Sequence, residues 1–254
     1  MKRPGRLVLV PTGLDLGTPA TAPPLQDVLP LGVLRVAAGL GHWVVENAKT
    51  TRAFLGRVNE VVPLALPLQQ IRIVELPRPQ KGRGTADVAP DLSALLAPAL
   101  EGHDVGLCSE AGMPAVADPG AAVVAAAHAQ GIPVWPMAGP SALVLALAAS
   151  GLHGQGFSFQ GYLPVDAAQR AGRIRELEAA SRRLGHSQIV IETPYRNAAL
   201  LDALVAQLQQ GTRLSVSCGL TLAGGWTRTD AVSGWRRAPV KMPADVPAVF
   251  LFQA

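Results

Sequence analysis

The chain has 254 residues, of which 49% are apolar and 16% charged, with a formal net charge of +4. That composition excludes an intrinsically disordered protein, and the length suffices for two domains with full cores. The two cysteines, Cys108 and Cys218, form no Cys-x-x-Cys and no Cys/His ligand spacing, which argues for a reducing compartment and against a metal site.

Residues 6–10 read as the first strand. Met1-Lys-Arg followed by an apolar run has the look of an export signal. The run is too short, however, and Pro11-Thr-Gly13 ends it without a small-residue cleavage site. No run reaches the length of a membrane span, so the expectation is a cytoplasmic protein with no membrane partner. The loop over 11–20 is Gly-rich but lacks the GxxxxGK[ST] and GxGxxG patterns, so no phosphate cradle is indicated. Residues 25–40 have helical spacing, with Pro30 either near the start or forcing a break. Residues 42–45 form the second strand. Its carboxyl end carries the polar cluster Glu46-Asn-Ala-Lys-Thr-Thr-Arg52, in which Glu46, Lys49 and Arg52 are candidates for a site or for caps and surface. A third strand over 71–76 leads into a basic loop over 77–84, mobile by composition, and residues 87–100 read as a helix with Pro90 near its start, ended or kinked by Pro98.

The centre of the chain is residues 105–151. A buried strand over 105–108 is followed by Ser109-Glu-Ala-Gly-Met-Pro114 and Asp118-Pro-Gly120, loops of small residues that let a ligand approach the main chain closely. Asp118 reads as an N-cap with Pro119 at the first helical position. The helix over 121–130 is stopped by Gly131, and 132–137 is the next strand. Ser141 then caps a helix over 142–149 that Gly151 closes. Strand, loop and helix, twice over, is the grammar of an open α/β sheet that binds a ligand at its strand ends. No Lys or Arg falls between Arg83 and Arg170, which marks this stretch as interior and cleft.

Beyond Gly151 the reading is a strand over 157–163, a charged amphipathic helix over 167–184 and a strand over 188–191 ending at Glu192-Thr-Pro-Tyr-Arg196. A helix over 198–209 and strands over 214–218, 227–232 and 246–252 complete a second sheet. After Arg83 every cation lies in this last third, Arg170, Arg173, Arg175, Arg182, Arg183, Arg236, Arg237 and Lys241 among them. Such an excess fits an acidic partner such as RNA or a polycarboxylate, and solvated helix faces account for it equally.

With these residues in view, the chain resembles the tetrapyrrole methylase superfamily of S-adenosylmethionine (SAM)-dependent methyltransferases. Within it, the chain is most similar to the branch that 2′-O-methylates a ribose of small-subunit ribosomal RNA. The resemblance is carried by Leu9-Val-Pro-Thr12, Glu46 with Thr51-Arg52, the two central loops, Gly139-Pro-Ser-Ala142 and Glu192-Thr-Pro-Tyr-Arg196. It implies two α/β domains, 1–137 with a mostly parallel sheet and 138–254 with a mixed sheet, with SAM in the cleft between them. It implies cofactor contacts at Ala111, Gly112, Met113, Pro114 and Val116, at Ser141 and Ala142, and at Thr193, Pro247 and Ala248. It also implies a homodimer. Arg52, Tyr195 and Arg196 are expected at strand ends as RNA-binding residues, because Arg holds phosphate and Tyr stacks on an unpaired base. Glu46, Glu110 and Asp118 are the carboxylates available as general base toward a hydroxyl.

The departures fall elsewhere. The ribosomal branch has a His-Asn-Glu-like segment where this chain has Leu76-Pro-Arg-Pro79, and an Arg-Glu-Leu-Thr-Lys-like segment where it has Cys218-Gly-Leu-Thr-Leu222. The acid and the lysine are absent, which bears on the acceptor more than on SAM. The expected acceptor is RNA or the ribosomal small subunit. The alternatives are a methyltransferase acting on a tetrapyrrole or other small molecule, and a non-catalytic SAM-binding paralogue.

Overall fold

The computed structural model describes residues 3–15, 22–77 and 92–254. The chain divides into two compact units, Met1–Pro140 and Ser141–Ala254. The first unit is built on β1 (Leu7–Leu9), β2 (His42–Val45), β3 (Arg72–Glu75), β4 (Val105–Cys108) and β5 (Val134–Pro136). These strands form one sheet in the order β3-β2-β4-β1-β5, and every pairing is parallel.

Both faces of this sheet are covered, which is why its central strands read as unbroken apolar runs. Val8, Trp43, Val45 and Cys108 point to one face, while Leu7, Val44, Val105 and Leu107 point to the other. On the first face lie α1 (Leu25–Val28), α2 (Leu31–Gly39) and α3 (Ala48–Val61), bringing Leu34, Leu55 and Val58 into the core. On the second face lie α4 (Ala97–Leu100) and α5 (Ala121–Ala129), bringing Ala99, Val123 and Ala127. Gly106 has no side chain because the Trp43 ring occupies that space: a Cβ there would lie 2.7 Å from the indole.

Local chemistry explains where the helices depart from the sequence reading. Leu29 precedes Pro30 and takes an extended conformation (φ −121°, ψ 133°), as residues before proline do, so residues 25–40 are two helices. Pro98 sits in the first turn of α4, where a missing N–H costs nothing, and so it starts a helix and does not end one. The rest of that expected helix, including Pro90, and most of the basic loop over 77–84 lie outside the described residues.

The second unit carries α6 (Ala142–Ser150), β6 (Phe157–Tyr162), α7 (Ala167–Leu184), β7 (Ser187–Ile191), α8 (Asn197–Gln207), β8 (Arg213–Cys218), β9 (Trp226–Ala231), α9 (Val232–Arg237) and β10 (Ala248–Gln253). Its sheet has the order β6-β7-β10-β8-β9 and is mixed: β6 and β7 run parallel and the remaining pairs are antiparallel. Val190, Val216, Phe250 and Phe252 pack with α7, α8 and α9 on one face. Ile189, Val249 and Leu251 pack with α6 on the other. The α/β class and the two sheet types agree with the sequence reading. Among the described residues, no helix is long and apolar enough to cross a membrane.

Candidate active site

The topology of the first unit fixes where a ligand site forms. The chain leaves β1 and β2 toward helices on one face of the sheet, and leaves β4 toward α5 on the other. β4 lies between β1 and β2, so a crevice opens at its carboxyl end, the switch point at which open α/β sheets bind ligands. The loops there are held together by main chain: Thr12 N–H donates to the Gly112 carbonyl (3.0 Å) and Gly112 N–H to the Gly13 carbonyl (3.3 Å). Gly112 has φ 75°, and a Cβ would press on Leu14 at 3.1 Å and on the Pro140 carbonyl at 3.3 Å. Only glycine fits that position without strain.

Three carboxylates gather at this crevice. Glu46, at the end of β2, accepts a hydrogen bond from the Glu110 N–H (3.1 Å), tying β2 to the loop after β4. Asp118 is half-buried in the same loop, hydrogen-bonded to the Ser109 hydroxyl. Burial pushes its carboxyl up to about 6. The Ser109 bond opposes that rise, and the Glu46 and Glu110 charges reinforce it. Asp118 does not cap α5. The N-cap is Gly120 (φ 133°), with no side-chain hydrogen bond, because the loop runs two residues further before turning helical. Glu46, Glu110 and Asp118 are thus brought together, and Asp118, raised to about 6, can exchange a proton near neutrality. Cys108, beneath them, is no nucleophile: burial pushes its thiol up to about 12.

Beside the carboxylates lies a cavity of about 200 Å³, lined by Thr12, Asp15, Thr50, Phe54, Arg57 and Ser109 among others. Its wall carries an ion pair, Arg57 Nη1 to Asp15 Oδ2 at 2.7 Å, with the Asp15 side chain only 5% exposed. The second guanidinium nitrogen donates to the Pro23 carbonyl (2.8 Å), so Arg57 holds the β1 loop against α3. The sequence reading missed this pair because it missed α3. The signal was present: Asn47 accepts from Lys49 N–H and Thr50 N–H as an N-cap, and Thr51, Phe54, Leu55 and Val58 follow at helical spacing. Arg52 accordingly stands one turn inside α3, exposed, with Nη1 3.4 Å from the Ala48 carbonyl, and not at a strand end.

The loop over 109–120 also carries backbone strain. Ala115 (φ 65°) and Ala117 (φ 66°) are left-handed, and Val116 between them is 46% exposed. Left-handed backbone costs an alanine roughly 1–2 kcal/mol, and such strain concentrates at ligand sites. In the second unit, Ser141 occupies the N-cap of α6 but makes no side-chain cap bond, leaving its hydroxyl available next to Ala142. Thr193 turns its N–H and hydroxyl back onto the Glu192 carboxylate (2.7 and 3.2 Å). The Pro247 carbonyl accepts from Gly219 N–H (2.9 Å), and the Ala248 methyl is in the core. Tyr195 is 71% exposed, with the Arg196 guanidinium 5.6 Å from its ring centroid. Arg196 pairs with Glu192 at 2.7 Å. Among the described residues, no group of three or more His, Cys, Asp or Glu side chains is arranged to hold a metal ion.

Over residues 45–232 the chain matches the family model of the tetrapyrrole (corrin/porphyrin) methylases. It is 41% identical over 127 residues to a ribosomal RNA small subunit methyltransferase I of Mesorhizobium japonicum, covering 50% of this chain and 42% of that protein. It is 43% identical over 103 residues to the protein of the same name from Pseudomonas aeruginosa, covering 41% of this chain and 34% of that one. The matched stretch therefore spans less than half the length of these curated relatives. In fold, the crystal structure of a uroporphyrin-III-C-methyltransferase from Thermus thermophilus superposes with a TM-score of 0.52 at 19% identity, over 98% of this chain and 92% of that one. The family match spans most of the chain and includes the carboxyl end of β2, the β4 crevice and the Glu192–Arg196 turn: the chain belongs to the tetrapyrrole methylases.

Proposed function

We propose that this protein is a SAM-dependent methyltransferase whose acceptor is a ribose 2′-hydroxyl of small-subunit ribosomal RNA. The observation that carries the chemistry is Asp118, a carboxyl titrating near 6 at the switch point of a parallel sheet. Two curated relatives bearing the name ribosomal RNA small subunit methyltransferase I support the acceptor class. A cytoplasmic location and a homodimer belong to the same reading.

The residues fit the cofactor. Ala111, Met113, Pro114 and Val116 present small apolar surface and main chain, which suits an adenine and its ribose. Gly112 lets the β1 and β4 loops close on one another, and Ser141, followed by the small Ala142, offers its hydroxyl at a helix start. The cavity beside Asp15 and Arg57, at about 200 Å³, is smaller than the about 300–1,000 Å³ of sites that bury a whole small molecule, so it takes a fragment. SAM supplies a methyl group on a cationic sulfonium. The protein aligns the acceptor and removes a proton. Asp118 in its ionised form accepts the hydroxyl proton, while Glu46 fixes the loop through the Glu110 N–H. Pro247 and Thr193 are the remaining cofactor-side candidates, with Arg52, Tyr195 and Arg196 on the RNA side.

The test is methyl transfer from labelled SAM to 30S particles and to naked small-subunit RNA from a strain lacking the protein. Label that resists alkaline cleavage at one nucleotide is the expected result. Label entering a small-molecule fraction with RNA untouched refutes the RNA acceptor, and points to the substituted segment over 218–226 as retuned for another substrate. No turnover on any acceptor, with SAM bound, is the result expected of a non-catalytic paralogue.

A further inference from the structure

Strand β6 has an unusual distribution of side chains. In the parallel pairing with β7, Phe157 lies opposite Ser187, Phe159 opposite Ile189 and, after an irregularity, Tyr162 opposite Ile191. All three rings therefore share the sheet face on which Ile189 points toward α6. That helix packs over β8, β9 and β10. On β6 the rings stay open: Phe157 is 44%, Phe159 37% and Tyr162 57% exposed. Residues two apart on a strand are spaced by about 6.6 Å. That is close to twice the ~3.4 Å rise between stacked nucleotides, so neighbouring rings serve splayed bases and not one continuous stack.

The row continues past the strand. β6 and β7 run parallel, so Tyr162 and the turn over 192–196 lie at the same end of the sheet. Glu192 chiefly, and more weakly the Tyr195 and Tyr162 phenols, hold the Arg196 guanidinium above its ordinary range. On the opposite face, where α7 packs, Arg170 Nη1 bonds the Val165 carbonyl (2.9 Å) and Arg173 Nη2 the Gln160 side chain (3.0 Å), so the cation beside the rings is Arg196. The carboxylates here are Asp166, Glu176 and Glu192. Asp166 caps α7, Glu176 pairs with Arg173 at 3.2 Å, and Glu192, 5% exposed, pairs with Arg196. The formal excess of positive charge resides in residues 141–254, which hold eleven Lys and Arg against seven Asp and Glu.

We propose that Phe157, Phe159 and Tyr162 form a stacking platform for unpaired bases of single-stranded RNA, continued by Tyr195 and Arg196. Aromatic rings open to solvent on a sheet, with a guanidinium beside them, bind bases by their faces and phosphate by charge. The inference rests on RNA being the acceptor and names the surface that holds it. A fluorescein-labelled 12-nucleotide single-stranded RNA of mixed sequence is the probe, read by anisotropy against the full chain and against Phe157→Leu, Phe159→Leu and Tyr162→Leu. Leucine keeps apolar volume and removes the ring face, and circular dichroism checks the fold. Each variant is expected to weaken binding by about 5- to 150-fold. Phe159→Tyr and Tyr162→Phe are expected to restore it. A duplex of the same sequence is expected to bind no differently to wild type and variants.

Wild-type binding that the leucine variants leave unchanged overturns the platform, while methylation of 30S particles in the same preparation keeps the RNA reading intact. Unchanged RNA binding together with a lower sedimentation coefficient in the variants assigns the rings to a contact between copies, and also overturns it. Absence of both RNA binding and RNA methylation in the wild type removes the acceptor reading and the platform with it.

Discussion

Replacing Asp118 with asparagine isolates the charge at the centre of the site. Asparagine keeps the shape and still accepts a hydrogen bond from Ser109, but it cannot ionise. In the folded protein the carboxyl titrates near 6 against an ordinary 3.8, chiefly because of burial. The folded state therefore holds the proton more tightly than the unfolded chain. The stability this contributes is complete below about 3.8 and is lost as pH rises through about 6. The gap corresponds to at most about 3 kcal/mol, and the carboxyl's partial exposure reduces it to about 1–2 kcal/mol.

Asp118→Asn is thus expected to match the wild type in stability near pH 4 and to exceed it by about 1–2 kcal/mol at pH 8. Urea unfolding at unit pH steps, with constant m-values, measures this directly. In the same protein kcat/KM is expected to fall by about 10²–10⁴, and the wild-type decline below pH 6 to disappear. A stability difference that is flat from pH 4 to 8, or a wild type more stable at pH 8, refutes the desolvated carboxyl. Unchanged kcat/KM refutes its role as base.

Val116→Arg and Ser141→Arg each put a long cation at a position proposed to meet the cofactor, and calorimetry with SAM is expected to record no heat from either folded variant. Arg57→Met breaks the pair with Asp15, whose side chain is 5% exposed, and is expected to cost about 3 kcal/mol of stability in urea unfolding. Gly106→Ala drives a methyl to within 2.7 Å of the Trp43 ring, so thermal unfolding is expected to reveal a loss of about 1–3 kcal/mol.

The architecture was legible because apolar periodicity and Gly/Pro punctuation dominate it. All five strands of the first sheet follow from short apolar runs ending in loops, and the central loops from their glycines and prolines. The third helix was missed although Thr51, Phe54, Leu55 and Val58 keep helical spacing, because its polar start, Asn47 to Arg52, looks like a ligand edge and is a capped first turn. Periodicity could not supply the state of Asp118. In sequence, Asp-Pro-Gly reads as a helix start. The raised pKa comes from burial and from Glu46, 72 positions away in the chain, which only the tertiary fold brings near. β6 was read as a strand, but its polarity is inverted. Ser158 and Gln160 are half-buried and Phe157 and Phe159 open, where alternation ordinarily turns the apolar set inward.

Backbone strain ties these observations together. Among the described residues, the non-glycine positions with positive φ are Ala115, Ala117 and Thr221. Alanine and β-branched threonine gain nothing from that conformation, so the fold must hold them there at a cost of roughly 1–3 kcal/mol each. Two flank Val116 in the loop that carries the expected cofactor contacts. The third lies in the turn over 219–225, where the Leu222 N–H and the Gly225 N–H close successive bonds (2.9 and 3.0 Å) and Gly219 is pinned to Pro247. That turn is also where the resemblance to the ribosomal branch leads one to expect an acid and a lysine that this chain does not have. A segment that had merely lost its function would be free to relax to unstrained geometry. The turn that holds this left-handed threonine is instead pinned through the Gly219 N–H to the Pro247 carbonyl, one residue before β10, a constraint that the proposed acceptor loop would keep.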